Sequence, residues 1–382
     1  MKLMDLSAPT SQTLRPGLLL SAMLLAVTLP ACGSSAASED AAEQPGAGAE
    51  DQGDSGAESD GNEAGDANGD ANDDAAASDS NEADDADSAA QGEDPEGSED
   101  PRDSEDPEDS ADEPEAEPAE LPGGGDTLFP DRRFVAAYGA PGIPALGVMG
   151  EGSPEDAAER VKFYAEQYQE HSEEPVQPAF EIITSIAISE PGVDGNYTNA
   201  LDPEVIEPWV DLAAEEEIYV VLDLQPGHAS FLDQAQDYEE LLAQPHVGLA
   251  LDPEWRLSEG QRHMEQIGSV TAEEINQVSD WLAGLTEEHE LPQKLLVLHQ
   301  FKHAMITDRE DIDTSHEELA ILLHADGHGT PSMKTETYES LQRDLSEDIW
   351  LGWKNFYDED SPTFTSAQTF ALDPTPWFVS YQ

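Results

Sequence analysis

The stretch Val247-Gly248-Leu249-Ala250-Leu251 is apolar at every position and then breaks off into Asp252-Pro253-Glu254-Trp255. A strand with no polar alternation must be covered on both faces, as in a parallel sheet wrapped by helices. Two carboxylates where such a strand surfaces are costly unless they are solvated, paired or put to use. The pattern recurs in Val220–Gln225 (VVLDLQ), Leu295–Gln300 (LLVLHQ) and Ile321–Asp326 (ILLHAD). Each is an apolar strand ending in polar residues able to take part in chemistry.

Around these runs the sequence alternates between strand and helix signals. Strands are predicted at 134–138, 180–188, 218–224, 247–251, 294–298, 319–324, 349–353 and 376–381. Helices are predicted from Ser153-Pro154 to about 169, after Asp202-Pro203, over 230–243, from Thr271 to about 289, and over 335–345. Ser153 and Thr271 are capping residues, and Pro154 suits a first helical position. The helix between the fifth and sixth strands is poorly marked, and 358–373 has no clear period. Alternating elements imply parallel pairing with right-handed crossovers. Eight strands over 123–382, roughly 260 residues, match the size of an α/β fold of the (β/α)8 TIM-barrel type. An open doubly wound sheet is the alternative, but no Gly-rich phosphate fingerprint follows any strand.

The first 122 residues read differently. Lys2 and Arg15 precede the apolar run Leu18–Val27, which is too short to span a bilayer and reads as a signal-peptide core. From 32 to 122 the chain is mainly Ala, Gly, Ser, Asp, Glu and Asn, with no Lys or Arg between Arg15 and Arg102. Such a segment cannot bury enough surface to offset its ordering entropy, so a disordered acidic tether is expected. Across all 382 residues, 85 acids against 15 Lys and Arg give a formal charge of −70. That excludes nucleic acid as a partner, because binding it requires a basic surface.

Leu29-Pro30-Ala31-Cys32 resembles the lipobox of bacterial lipoproteins. The resemblance implies a signal peptide over 1–31, cleavage before Cys32, and lipidation of that cysteine. The bilayer would then be a partner and the location extracytoplasmic, lipid-anchored to a bacterial cell membrane. Cys32 is the only cysteine, so no disulfide forms within one chain.

In a barrel the C-terminal strand ends share one mouth, where active sites are built. The catalytic candidates there are Glu254, Asp252, Asp223 and Asp326. Tyr138, Gln225, Trp255, His299, Gln300, Trp353, Asn355 and Tyr381 are candidate substrate contacts. Carboxylates with aromatic walls suit a carbohydrate, with acids for proton transfer and rings for sugar faces. The domain therefore resembles a glycoside-hydrolase-type TIM barrel. Asp252-Pro253-Glu254 is similar to the end of the chitinase-like D-x-x-D-x-D-x-E signature, although its two earlier acids are Val247 and Ala250 here. The resemblance implies Glu254 as general acid and Asp252 as its partner, with no cofactor. Two alternatives stay open: a non-catalytic glycan-binding barrel, and a metal-dependent hydrolase drawing on His299, Asp326, His328, Asp223, Asp252 and Glu254. No H-E-x-x-H or G-x-S-x-G motif occurs.

Overall fold

The computed structural model of the protein describes residues 118–382; the signal-peptide reading, Cys32 and nearly all of the acidic tether lie outside these residues. Eight strands make the barrel: β1 (Arg133–Gly139), β2 (Val176–Ala187), β3 (Tyr219–Leu224), β4 (Val247–Leu251), β5 (Lys294–Gln300), β6 (Leu319–Ala325), β7 (Trp350–Asn355) and β8 (Phe378–Tyr381). All neighbouring pairs are parallel, and β1 pairs with both β2 and β8, so the sheet closes on itself. It is a closed TIM-type α/β barrel. A three-residue strand, Thr198–Ala200, adds antiparallel to β2.

The helices begin where local chemistry favours it. In α1 (Pro154–Gln169) the Ser153 hydroxyl accepts from the Asp156 amide while the Asp156 carboxylate accepts from the Ser153 amide. In α2 (Pro203–Glu215) the Asp202 side chain caps the first turn. The helix expected over 230–243 is two short pieces, α3 (Phe231–Gln236) and α4 (Glu239–Leu242). Before α5 (Ala272–Glu288), Thr271 accepts from the Glu274 amide, but the capping box is only half made. Glu274 turns its carboxylate to Arg256 at 2.9 Å and to the Phe231 amide at 3.2 Å instead. Thr330 and Pro331 start α6 (Pro331–Leu341) four residues ahead of the expected position. The poorly marked crossover from β5 to β6 has no α-helix, only 3-10 turns at His303–Met305 and Arg309–Asp311. The stretch without a clear period holds one short helix, α7 (Ser366–Phe370).

Two cores follow from strand alternation. One parity of each strand packs outward under the helices, as with Val135, Val220, Leu249, Leu298, Ile321 and Val379. The other fills the lower barrel interior: Phe134, Ala136, Ala179, Tyr219, Val221, Ala250, Leu295, Val297, Leu322 and Phe378. Each large apolar side chain buried this way contributes about 1.5–3 kcal/mol against exposure. The segment before β1 belongs to this inner core. Leu121, Leu128 and Phe129 are buried in it, and Arg132 donates to the carbonyls of Pro122 and Gly124. Folded structure thus takes in Leu121, two residues ahead of the expected boundary at 123.

Candidate functional site

Continuing the inward parity towards the C-terminal ends changes the chemistry of the lining. Above the apolar floor come Tyr138, Glu181, Asp223, Asp252, His299, His324, Lys354 and Ser380, one from each strand or its end, and all are buried. With Asp326 one step beyond β6, this makes a polar storey on an apolar one.

His299 is the hub. Its Nδ1 lies 2.9 Å from Asp326 Oδ2 and its Nε2 lies 2.9 Å from Glu181 Oε1, with Asp223 Oδ1 at 3.9 Å. Burial opposes a charge on this ring, but Asp223, Asp326 and Glu181 outweigh it and hold its pKa well above the usual histidine value. His299 is therefore an imidazolium donating from both nitrogens. Burial likewise opposes ionisation of Glu181, yet His299 beside it brings the carboxyl down to about 2. Asp326 is also lowered, its burial offset by the His299 hydrogen bond. Like charges and desolvation dominate elsewhere. Burial, with Glu181 nearby, raises Asp223 to about 6, although the Tyr138 phenol donates to its Oδ2 at 2.8 Å. Asp252 is pushed well above the usual carboxylate range by burial and by neighbouring acids.

Glu254 differs from these four acids because it is only partly buried. It sits in a 3-10 turn, Pro253–Trp255, whose first amide bonds Asp252 Oδ1 at 3.1 Å. Burial and the charge of Asp326 raise its carboxyl to about 7. The turn is held by close backbone packing: the Gly268 amide donates to the Glu254 carbonyl at 2.7 Å, and any Cβ on Gly268 would lie 2.5 Å from that oxygen.

Two buried basic residues complete the ring. Lys354 Nζ lies 3.3 Å above the centroid of the Tyr138 ring, a desolvated cation–π contact. His324, edge-on to His299 at 5.1 Å between ring centroids, bonds Ser380 Oγ at 2.8 Å. Burial and the nearby positive charges depress it to about 3, so it is neutral. Space for it comes from Gly352, where a Cβ would stand 2.5 Å from His324 Nδ1.

The structure thus brings Asp223, Asp252, Glu254, Asp326, Tyr138 and His299 together. It places Trp353, Asn355, Tyr381 and Gln300 on the outward parity, and gives Gln225 and Trp255 partners of their own. Trp353 lies on the outward parity, edge-on to Tyr338 of α6 and bonded through Nε1 to Asn355 Oδ1. Tyr381 also faces the helix layer, its hydroxyl 2.8 Å from that of Tyr168 on α1. Gln300 is occupied by Arg309 and the Lys302 carbonyl, and Gln225 accepts from the Ala187 amide. Trp255 is partly exposed and packs on His263. For Trp353, Asn355, Tyr381 and Gln300 the cause is shared, because neighbouring residues at a strand end point to opposite faces. Arg256, four residues beyond Asp252, bonds Glu274.

Glu181, Lys354 and Ser380 were not foreseen, whereas His324 belongs to the strand-end run Ile321–Asp326. The available signal was a charge inside an apolar run, Glu181 in Ala179–Ile183 and Lys354 between Trp353 and Asn355. Two surface clefts lie away from this ring. One is lined by Tyr164, Tyr357, Phe364 and Tyr381, the other by Val148, Glu151 and Arg160.

No protein-family model and no curated protein matches this sequence. Among solved structures the chain is similar to an endo-β-mannanase/endo-β-glucanase of Prevotella bryantii, at 10% identity and a TM-score of 0.30, covering 53% of this chain and 37% of that one. It is similar to a Group IV chitinase of Ostrinia furnacalis at 11% identity and a TM-score of 0.32, covering 61% and 71%. It is also similar to a D-allulose 3-epimerase of a Methylomonas species at 11% and 0.31, covering 67% and 86%. The chain therefore spans little more than a third of the first of these proteins. Likenesses this weak carry no argument about chemistry, and the barrel rests on its own strand pairing.

Proposed function

We propose that this barrel hydrolyses a glycosidic bond in an extracellular or cell-wall glycan, with Glu254 as general acid. The observation that carries the reading is the make-up of the acid cluster: Glu181, Asp223, Asp252 and Asp326 are buried, while Glu254, in the turn that follows β4, is partly exposed. A carboxyl raised to about 7 keeps its proton near neutrality and can give it to the leaving oxygen. His299 holds Asp326 ionised at 2.9 Å, a charge suited to stabilising the sugar cation or activating water. The C–O bond breaks, the leaving hydroxyl takes the proton of Glu254, and water supplies the new oxygen at the anomeric carbon. Asp252, bonded to the Glu254 amide, fixes the acid's turn.

Lipid anchoring at Cys32 and an extracytoplasmic location belong to the same proposal and rest on the lipobox resemblance in the sequence. More than one acyl chain would anchor the protein stably without a membrane span. Among the described residues no helix is long and apolar enough to cross a membrane.

The test is binding and turnover of a panel of cell-wall and chitin-type oligosaccharides by the wild type and by Glu254→Gln. Hydrolysis that collapses in the variant while binding persists supports the reading. Binding without turnover in both makes the domain a glycan-binding barrel, and neither binding nor turnover refutes a glycan as ligand.

A further inference from the structure

Asp252, His299 and Asp326 each offer one ligand atom, and the three atoms lie within 4.8 Å of one another. The nitrogen facing Asp326 is Nδ1, at 2.9 Å. On the far side of the ring, Nε2 meets Glu181 Oε1, also at 2.9 Å. A metal-bound histidine ordinarily has this arrangement, one nitrogen on the ion and the other donating to a carboxylate that fixes the tautomer. Three buried carboxylate oxygens also have no hydrogen-bond partner among the described residues: Glu181 Oε2, Asp223 Oδ1 and Asp326 Oδ1. Buried polar atoms are rarely left so, and an orphaned oxygen within the candidate donor set calls for a cation.

We propose that His299 Nδ1, Asp326 and Asp252 bind one divalent transition-metal ion at the floor of the barrel mouth, with Glu181 orienting His299 from behind. One imidazole and two carboxylates suit ions of the Mn2+ or Zn2+ kind. Three protein ligands leave positions open to water and substrate, as in catalytic metal sites. Neighbouring ligands of an ion bonded at about 2.1 Å stand about 3 Å apart, so on binding Asp252 would have to close in from a separation of up to 4.8 Å. Binding releases the Nδ1 proton of His299 to solvent, and the metal–nitrogen bond replaces the hydrogen bond to Asp326. The ion does not depend on the hydrolytic reading. If that reading holds, the ion takes over the role of Asp326 by activating water beside Glu254.

The experiment strips the full-length protein with EDTA and titrates it calorimetrically with Mn2+ and Zn2+ in two buffers of different ionisation heat. Bound metal is counted by elemental analysis after gel filtration. The expected result is one tightly held equivalent per chain with proton release. Asp326→Asn and Asp252→Asn should each weaken it by about 100-fold or more, and Glu181→Gln by about 10–100-fold. Asp252→Asn keeps its shape and lies outside the His299 hydrogen bonds, so it reports the site even if variants of the clamp fail to fold. The exposed cluster Asp280, Asp313 and His316 is the control, and Asp280→Asn should leave the tight site unchanged. Retention of less than one equivalent, or tight binding indifferent to Asp252→Asn and Asp326→Asn, overturns the proposal. Glu254→Gln should keep the metal and lose any turnover, so failure of the metal site and failure of the hydrolytic reading give different results.

Discussion

Replacing His299 by Gln in EDTA-treated protein removes the positive charge between Glu181 and Asp326 while keeping a hydrogen-bonding side chain of similar reach. Glu181 is fully buried, and its carboxyl is held at about 2 against an ordinary 4.5. By linkage that difference corresponds to about 3 kcal/mol of stability at neutral pH. Stranding one member of a buried ion pair costs a similar amount, about 3–5 kcal/mol. In a domain of this size the melting midpoint should fall by roughly 6–20 °C. The pH dependence has a definite sign. Glu181 and Asp326 have lowered pKa values, so their contribution is present above about pH 4.5 and fades as pH falls through the folded value near 2. His299 has a raised pKa, so its contribution is full below about 6.5 and is lost as pH rises through its folded value. The gap between wild type and variant should therefore be widest near pH 5.5 and narrow towards pH 9. Urea unfolding at both pH values measures it. A gap below about 1 kcal/mol at pH 5.5, or one that widens with rising pH, would refute the charged clamp.

If Glu254 is the general acid, turnover should decline as pH rises through about 7, where its carboxyl loses its proton. A pH–rate profile flat from 5 to 9 would assign the proton elsewhere. Tyr138→Phe deletes the hydrogen bond that favours ionised Asp223, so Asp223 should titrate above about 6, visible as a shifted side-chain carbonyl carbon resonance. Gly352→Ala should destabilise by about 1–3 kcal/mol, because its Cβ would stand 2.5 Å from His324 Nδ1; denaturation midpoints report it. Trp353→Ala should cost about 3–5 kcal/mol of stability yet leave the KM of the folded fraction unchanged, since the ring packs under α6 outside the barrel. A change in KM at unchanged stability would return Trp353 to the mouth.

The sequence by itself determined the eight strands, their parallel pairing and the end of the barrel where the polar residues gather. Runs such as Val247–Leu251 and Leu295–Leu298 leave no polar face, so both faces must be covered, and a local pattern is enough to require that. Capping at Ser153, Asp202 and Thr271 is equally local, and each cap formed. Asp252-Pro253-Glu254 was legible because two acids terminate an apolar strand. Which face each strand-end residue takes was decided only by closure. A one-position change of parity separates Lys354, over the Tyr138 ring, from Trp353 and Asn355, packed outside. Glu181 and His299 meet although 118 residues separate them in the chain, because the barrel brings β2 and β5 to face each other across its interior. Hydrophobic period is written residue by residue. Convergence at the barrel axis depends on the register of all eight strands at once, and no single strand carries it.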